Sequence, residues 1–301
     1  MRAISKALAA AGLFVIASSV SADDPFASFI PDDGSCDSVM PALRAALAKQ
    51  FSVEGAKAAP EFERLVKAAP YCSTAHMGLG ESLYRRGAWS LALAQFDAAF
   101  NTGFPDPIIH LGRGLSSFHL NHVDEAIAEL SLVEKRYPEN VELLMGLAWA
   151  YNQRHQFAAA IAYGRKAQAL APDNPGVLHT LGIALEEQGQ HADAIEVYDH
   201  AVSITPNDAE LHYNRGVALM RNREFDRSIA DFSAAVNFDP DMADGYVLRG
   251  ESNCRRGDAQ AAKPDYEQAL RVDPDHDDAK WLLEHLDLCR PELIHALESR
   301  P

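Results

Sequence analysis

Residues 174–206 read NPGVLHTLGIALEEQGQHADAIEVYDHAVSITP, and the plan of the whole chain is visible in them. In the first half Leu178, Leu181 and Leu185 recur at helical spacing; in the second half Ile195, Tyr198, Ala201 and Val202 do the same. Gly189 separates the halves, and Pro206 ends the second because proline cannot continue a helix. The stretch therefore predicts two helices joined by a turn.

Outward from this stretch the pattern returns every 34 residues, in units beginning at residues 73, 107, 141, 175, 209 and 243. Place eight holds Gly80, Gly114, Ala148, Gly182, Gly216 and Gly250. Place twenty holds Ala92, Ala126, Ala160, Ala194, Ser228 and Ala262. Five units carry proline at place thirty-two; the first has Phe104 there, followed by Pro105. Small residues let the paired helices approach closely, and a ring at place twenty-four (Phe96, Tyr198, Phe232, Tyr266) fills the remaining gap. No single pair buries enough surface to stand alone, so stability comes from stacking.

These residues resemble the tetratricopeptide repeat family, whose signature is W-x2-L-G-x2-Y, then A-x3-F, then P. Leu178, Leu181, Gly182, Leu185, Ala194, Tyr198, Ala201 and Pro206 fall on it in order. The resemblance covers residues 73–276 well and 39–72 weakly. It implies an all-α fold, a right-handed α-solenoid of stacked helix-turn-helix repeats at 73–106, 107–140, 141–174, 175–208, 209–242 and 243–276. Residues 39–72 keep Ala46, Ala58, Phe62 and Pro70 but lack the glycines, and read as a degenerate N-terminal repeat acting as a cap. Residues 277–301 read as a C-terminal capping helix. Pro60 and Pro264, both at place twenty-two, predict second helices that begin a few residues late. Gly164 replaces the ring at place twenty-four, which predicts either a softer seam or a gap filled by a neighbouring side chain.

Residues 1–22 read as a signal peptide, with Arg2 and Lys6 before an apolar run from Ala7 to Ala17 and small residues at Val20-Ser21-Ala22. Cleavage after Ala22 would leave an exported, periplasmic protein of bacterial type, opening on a flexible segment over residues 23–38. The run is too short to span a bilayer, which needs about 20 apolar residues. With Arg2 and Lys6 removed, the net charge falls from −16 to −18. Such a balance argues against nucleic acid and anionic membranes as partners and permits a basic partner, while the want of any other long apolar stretch argues against membrane insertion.

Four cysteines allow three pairings. Cys36 and Cys72 bracket the degenerate repeat, while Cys254 and Cys289 fall on adjacent first helices. The expected pairs are therefore Cys36–Cys72 and Cys254–Cys289, one clamp at each end. Each would close a loop of about 35 residues, worth roughly 3–4 kcal/mol by loop entropy. Buried free thiols are the alternative for the second pair.

In the family, places two, five, nine, twelve and thirteen of each unit line the concave side. Carried onto this chain, the candidate partner-binding groove comprises Met77, Tyr84, Leu111, Leu115, Phe118, Met145, Trp149, Asn152, His179, Ile183, Tyr213, Val217 and Met220. Arg85, His119, Arg221 and Arg255 stand at its edge. An apolar, aromatic lining of this kind suits a protein or peptide with large apolar side chains. The alternative is that the superhelix or the N-terminal tail covers the stripe. Lys and Asn at places five and nine, with which some relatives grip a terminal carboxylate, are missing.

Chemistry has no comparable signal. His-Glu-x-x-His, Gly-x-Ser-x-Gly and phosphate-loop patterns are absent from the sequence. His110, His119 and His122 read as packing or surface histidines, as do the place-four rings His76, His110 and His212. The acidic run from Asp273 to Asp278 reads as a helix cap rather than a calcium loop. The expected function is a non-enzymatic interaction scaffold or adaptor of the cell envelope, with no cofactor and no metal. Self-association into a homo-oligomer is the alternative, and a glycan-acting enzyme is disfavoured by inter-helix loops of about 2–5 residues.

Overall fold

Asn140, Asn174 and Asp208 recur one repeat apart, and each caps the helix that follows it. Asn140 Oδ1 accepts from Leu143 N at 2.8 Å, Asn174 Oδ1 from Gly176 N and Val177 N, and Asp208 Oδ1 from Glu210 N and Leu211 N. Such caps satisfy amides that the first turn leaves unpaired. The computed structural model describes residues 34–50, 58–103 and 107–289. The expected signal peptide, most of the expected flexible segment and the end of the expected C-terminal cap lie outside the described residues.

Contacts divide the chain into two compact units, Met1–Leu170 and Ala171–Pro301. In the first, a 3-10 turn at Asp37–Val39 precedes α1 (Met40–Gln50), α2 (Ala59–Ala68), α3 (Ser73–Tyr84), α4 (Trp89–Asn101), α5 (Pro107–His119), α6 (Val123–Val133), α7 (Val141–Gln153) and α8 (Phe157–Leu170). The second comprises α9 (Pro175–Glu187), α10 (His191–Ile204), α11 (Ala209–Arg221), α12 (Phe225–Phe238), α13 (Ala243–Arg255), α14 (Ala259–Val272) and α15 (Asp277–Glu284), then a 3-10 turn at Leu286–Leu288. Among the described residues there is no strand. Within each repeat the first helix packs on the second, and first helices of successive repeats also meet: α3 with α5, α5 with α7, α9 with α11, and α11 with α13. The fold class is thus the all-α solenoid of stacked helix pairs that the repeat implies.

Place twenty-four supplies the wedge. A Cβ built on Gly80 would lie 3.1 Å from the Phe96 ring, and one on Gly112, in the next repeat, 2.5 Å from the same ring. Leu130 is held likewise, 2.6 Å from a Cβ on Gly114 and 2.9 Å from one on Gly146. Tyr198, Phe232 and Tyr266 press on Gly182, Gly216 and Gly250 in the same way. Where place twenty-four is Gly164, place eight is Ala148, and both are buried.

Place fifteen carries the turn between helices, and there every repeat has positive φ. Glycine occupies it at Gly87, Gly189 and Gly257, but Asn121, His155 and Arg223 hold φ of 62°, 55° and 66°. A side chain in this region costs about 1–2 kcal/mol, least for asparagine.

The place-four histidines do more than pack. His110 Nδ1 meets Glu129 Oε2 at 2.6 Å; His212 Nδ1 meets Asp231 Oδ1 at 3.0 Å, and its Nε2 meets the Pro206 carbonyl at 2.9 Å. Arginine at place seven joins them: Arg113 reaches Glu129 and Asp97, Arg215 reaches Asp231 and Asp199, and Arg249 reaches Asp265. Asp97 and Asp199 belong to the preceding repeat, so each of these two guanidinium groups spans a repeat boundary.

Cys36 pairs with Cys72 and Cys254 with Cys289, at Cα–Cα distances of 4.8 and 4.6 Å. Two expectations need correction. Pro60 does sit in the first turn of a helix that starts at Ala59, but α14 starts at Ala259 with Pro264 inside it. That helix survives the lost hydrogen bond because Asp258 caps it, Arg249 grips Asp265, and Ala262, Tyr266 and Ala269 are buried. Helix α15 is capped by His276, whose Nδ1 accepts from Ala279 N at 3.4 Å, and not by an aspartate.

Replacing Phe96 by Ala should cost about 3–5 kcal/mol in urea unfolding. Gly112→Ala should cost about 1–3 kcal/mol beside Phe96 and much less in the Phe96→Ala background, a coupling that a double-mutant cycle reads directly. His155→Gly should stabilise the chain by about 0.5–1 kcal/mol, and His155→Val should destabilise it, as judged by thermal melting.

Candidate functional site

The candidate groove positions lie on the first helices of each unit. In the first unit a Cβ on Gly146 would lie 2.9 Å from Leu130, and at ordinary contact distance, 3.7 and 3.8 Å, from Leu115 and Phe118. Leu115 is buried, and so are Met77, Leu111 and Asn152, none of them more than 8% exposed. Met220 in the second unit is buried to the same degree. These five residues do not line an accessible groove. They pack within the stack, because first helices meet one another as well as their own partners. Tyr84, Phe118, Met145 and Trp149 remain half-buried with Arg85, and His119 is exposed. In the second unit His179, Ile183, Tyr213 and Val217 are half-buried with Arg255, and Arg221 is exposed.

The accessible rings of the first unit form a continuous ladder. The indole of Trp89 stacks on His119 with centroids 4.5 Å apart and planes at 5°. Phe118 lies 4.6 Å from His119 and 5.0 Å, edge to face, from Trp149. Tyr84 Oη meets His119 Nε2 at 3.0 Å. Burial pushes the His119 imidazole below its ordinary range and the Tyr84 phenol above its own. Trp89 is absent from the groove pattern because it starts a second helix; only the short turn after α3 brings it here.

Charged groups adjoin the ladder. Glu81 is 1% exposed, and Arg85 Nε donates to its Oε1 at 2.6 Å. Burial pushes the Glu81 carboxyl up to about 7, against the pull of Arg85, and raises that of Glu142 as well. Glu81 and Glu142 stand at places nine and two, so the groove pattern contained them. Weighting its apolar members hid their importance.

The second unit repeats the theme with other partners. Arg221 Nη1 approaches Glu186 Oε1 to 2.5 Å, off the hydrogen-bonding axis, and His191 Nδ1 lies 3.6 Å from the same oxygen. Burial raises the Glu186 carboxyl and lowers the His191 imidazole. Asn214 Nδ2 lies 2.8 Å from His179 Nε2, beside a shallow hollow lined by Pro175, Gly176, Asp208, Glu210 and Leu211. Arg255 Nη2 pairs with Glu251 at 2.6 Å. Among the described residues no three His, Cys, Asp or Glu side chains converge as metal ligands, and no helix is long and apolar enough to cross a membrane.

Family models described as tetratricopeptide repeat match residues 43–106, 111–175 and 248–283, and also 209–242; one described as TPR repeat matches 184–222. No curated protein sequence matches the chain. Among solved structures, MamA (MSR-1, C2) superposes with a TM-score of 0.52 at 22% identity, over 56% of this chain and 97% of that one. The APC/C hetero-tetramer Cut9-Hcn1 gives a TM-score of 0.62 at 14% identity, over 84% of this chain and 52% of that one. A tetratricopeptide repeat protein from Parabacteroides merdae gives 0.52 at 18% identity, over 84% and 99%. At these identities the likeness shows the fold.

The Glu81 carboxyl makes stability depend on pH. Between about 4.5 and about 7 the unfolded chain has lost a proton that the folded chain keeps, so stability falls as pH rises through that window and then levels. Glu81→Gln should remove this fall. Urea unfolding at about pH 5 and about pH 7.5 should show the stability difference moving in the variant's favour by up to about 3 kcal/mol.

Proposed function

The chain belongs to the tetratricopeptide repeat family, and from that premise we propose that it is a non-enzymatic scaffold holding a segment of another protein on its first-helix face. The observation that carries this reading is the accessible ladder of the first unit, in which Tyr84, Phe118 and Trp149 stay half-buried although the helices beneath them are fully packed. Aromatic side chains presented this way, rigid and partly desolvated, are the usual anchors of protein interfaces. Ile183, Tyr213 and Val217 offer a second apolar strip on the other unit. The anchors of the bound segment are accordingly large apolar side chains.

The place of action is the cell envelope, and the support for it lies in the sequence. Residues 1–22 have the make-up of a cleavable leader, and the two cysteine pairs at the ends of the stack suit an oxidising compartment.

Photocrosslinking in living cells tests both statements, with the probe at Trp149 and a control at exposed Glu196. A discrete foreign protein captured from Trp149 and not from Glu196 is the expected result. Capture of only a second copy would replace the scaffold with self-assembly, and no capture would remove the ladder as a binding surface. Trp149→Glu should abolish capture with the melting temperature nearly unchanged, since a central aromatic anchor is worth about 2 kcal/mol or more, a loss of about 30-fold or more in affinity.

A further inference from the structure

A hollow of about 360 Å3 lies between α1 and α2, and its lining comes from these two helices alone. Ala42, Ala45 and Ala46 stand on one side and Leu65 on the other; Lys49, Glu61 and Arg64 complete it. Leu43, Leu47 and Phe62 of the same helices are fully buried, and the Phe62 ring is packed against Gly78 of α3. The pair thus turns a large side chain toward the next repeat and keeps small ones around the hollow. In a stack, the face away from the next repeat is the one that a preceding repeat would cover.

The chain enters α1 beside this hollow. Gly34 has a φ of 75°, and Asp37 N donates to its carbonyl at 3.2 Å, so the chain turns as it arrives. The 3-10 turn that follows meets both α1 and α2, and Cys36 next to it is fixed to Cys72. Residues 23–33, between the expected leader and this turn, read DDPFASFIPDD. Phe26, Phe29 and Ile30 stand at i, i+3 and i+4, a spacing that puts three side chains on one face of a helical turn. Four aspartates flank them, and the hollow is lined by two cations, Lys49 and Arg64, to one acid, Glu61. Ile30 is four residues from Gly34 and Phe26 is eight. About 13–26 Å of extended chain is therefore at hand, against about 10 Å of helix between Ala42 and Lys49.

We propose that residues 26–30 of the same chain dock on the first helix pair, with Phe29 seated in the hollow and Phe26 and Ile30 beside it. The segment then does for α1 and α2 what a preceding repeat would do, and closes this end of the stack. Small alanines leave the room that a ring needs, as glycine does for the wedge deeper in the stack. Because the segment is tethered at Gly34, its local concentration is high and a modest contact suffices to hold it. The ladder of Tyr84, Phe118 and Trp149 shares no residue with the hollow, so this docking and the scaffold reading stand or fall separately.

The test puts the photocrosslinker benzoylphenylalanine in place of Phe29 in the full chain, mixed with an equal amount of the same chain labelled with nitrogen-15. Docking predicts links to residues 42–49 and 61–65 within a single chain, at a yield that dilution leaves unchanged. Ala45→Glu sets a carboxylate at an exposed position of α1, against an acidic segment, and should lower that yield by about fivefold or more. In the chain without the photocrosslinker, chymotrypsin cleavage after Phe29 should quicken about tenfold in Ala45→Glu. Cleavage after Tyr71, 78% exposed, should stay as it was and shows that the helices remain folded. Links that join the two isotopes would give the hollow to a second copy and overturn the proposal. Absence of links to α1 and α2, or equal cleavage after Phe29 in both chains, would overturn it as well.

Discussion

In five of the six repeats one large side chain, lodged where glycine leaves room for it, sets the spacing of the helices. Phe96 fills the space left by Gly80 in its own repeat and by Gly112 in the next, so a single ring joins three helices. Leu130 does the same between Gly114 and Gly146. Close packing makes such contacts unforgiving, since a methyl group added at 2.5 Å has nowhere to go. The repeat at 141–174 departs from this pattern, with Gly164 and Ala148 both small and both buried. Gly146, which admits Leu130, stands on the same helix as Trp149, whose ring meets Phe118 edge to face.

Opposite this apolar wedge lies a polar lattice. Histidine at place four and arginine at place seven converge on one acid at place twenty-three, as in His212, Arg215 and Asp231. Asp231 is nearly buried, where a charge without a partner would be costly. Because Arg215 also reaches Asp199 in the repeat before, a slip of the stack by one turn would break the bridge. The wedge supplies adhesion, and the lattice supplies register.

The period of the chain, its helix pairs, the wedge position and both cysteine pairs could be read from residue types and spacing alone. What could not be read depends on neighbours across the stack. Leu115 and Trp149 share place nine, yet one is buried and the other half-buried. Gly189 advertises a left-handed turn by its identity, but His155 and Arg223 adopt the same backbone and give no sign of it. Pro264 looked like a helix boundary because proline breaks isolated helices; a cap, an ion pair and a buried tyrosine held the helix together instead. The acids of the site were visible as letters. Their burial, which gives them significance, was not.

A stack of this kind is stabilised repeat by repeat through nearest neighbours, so its ends, with one neighbour each, open most easily. The disulfides stand at those ends. Cys36–Cys72 ties the chain before α1 to the start of α3, and Cys254–Cys289 ties α13 to the chain beyond α15. Cross-links placed there act on the openings that stacking resists least, whereas cross-links in the middle would duplicate what the wedge already does. The ladder of Tyr84, Phe118 and Trp149 sits on α3, α5 and α7, inward of the first clamp, where each first helix contacts the next. Side chains held on such helices lose little freedom when a partner docks, so the rigidity created by ring and glycine contacts is available to binding.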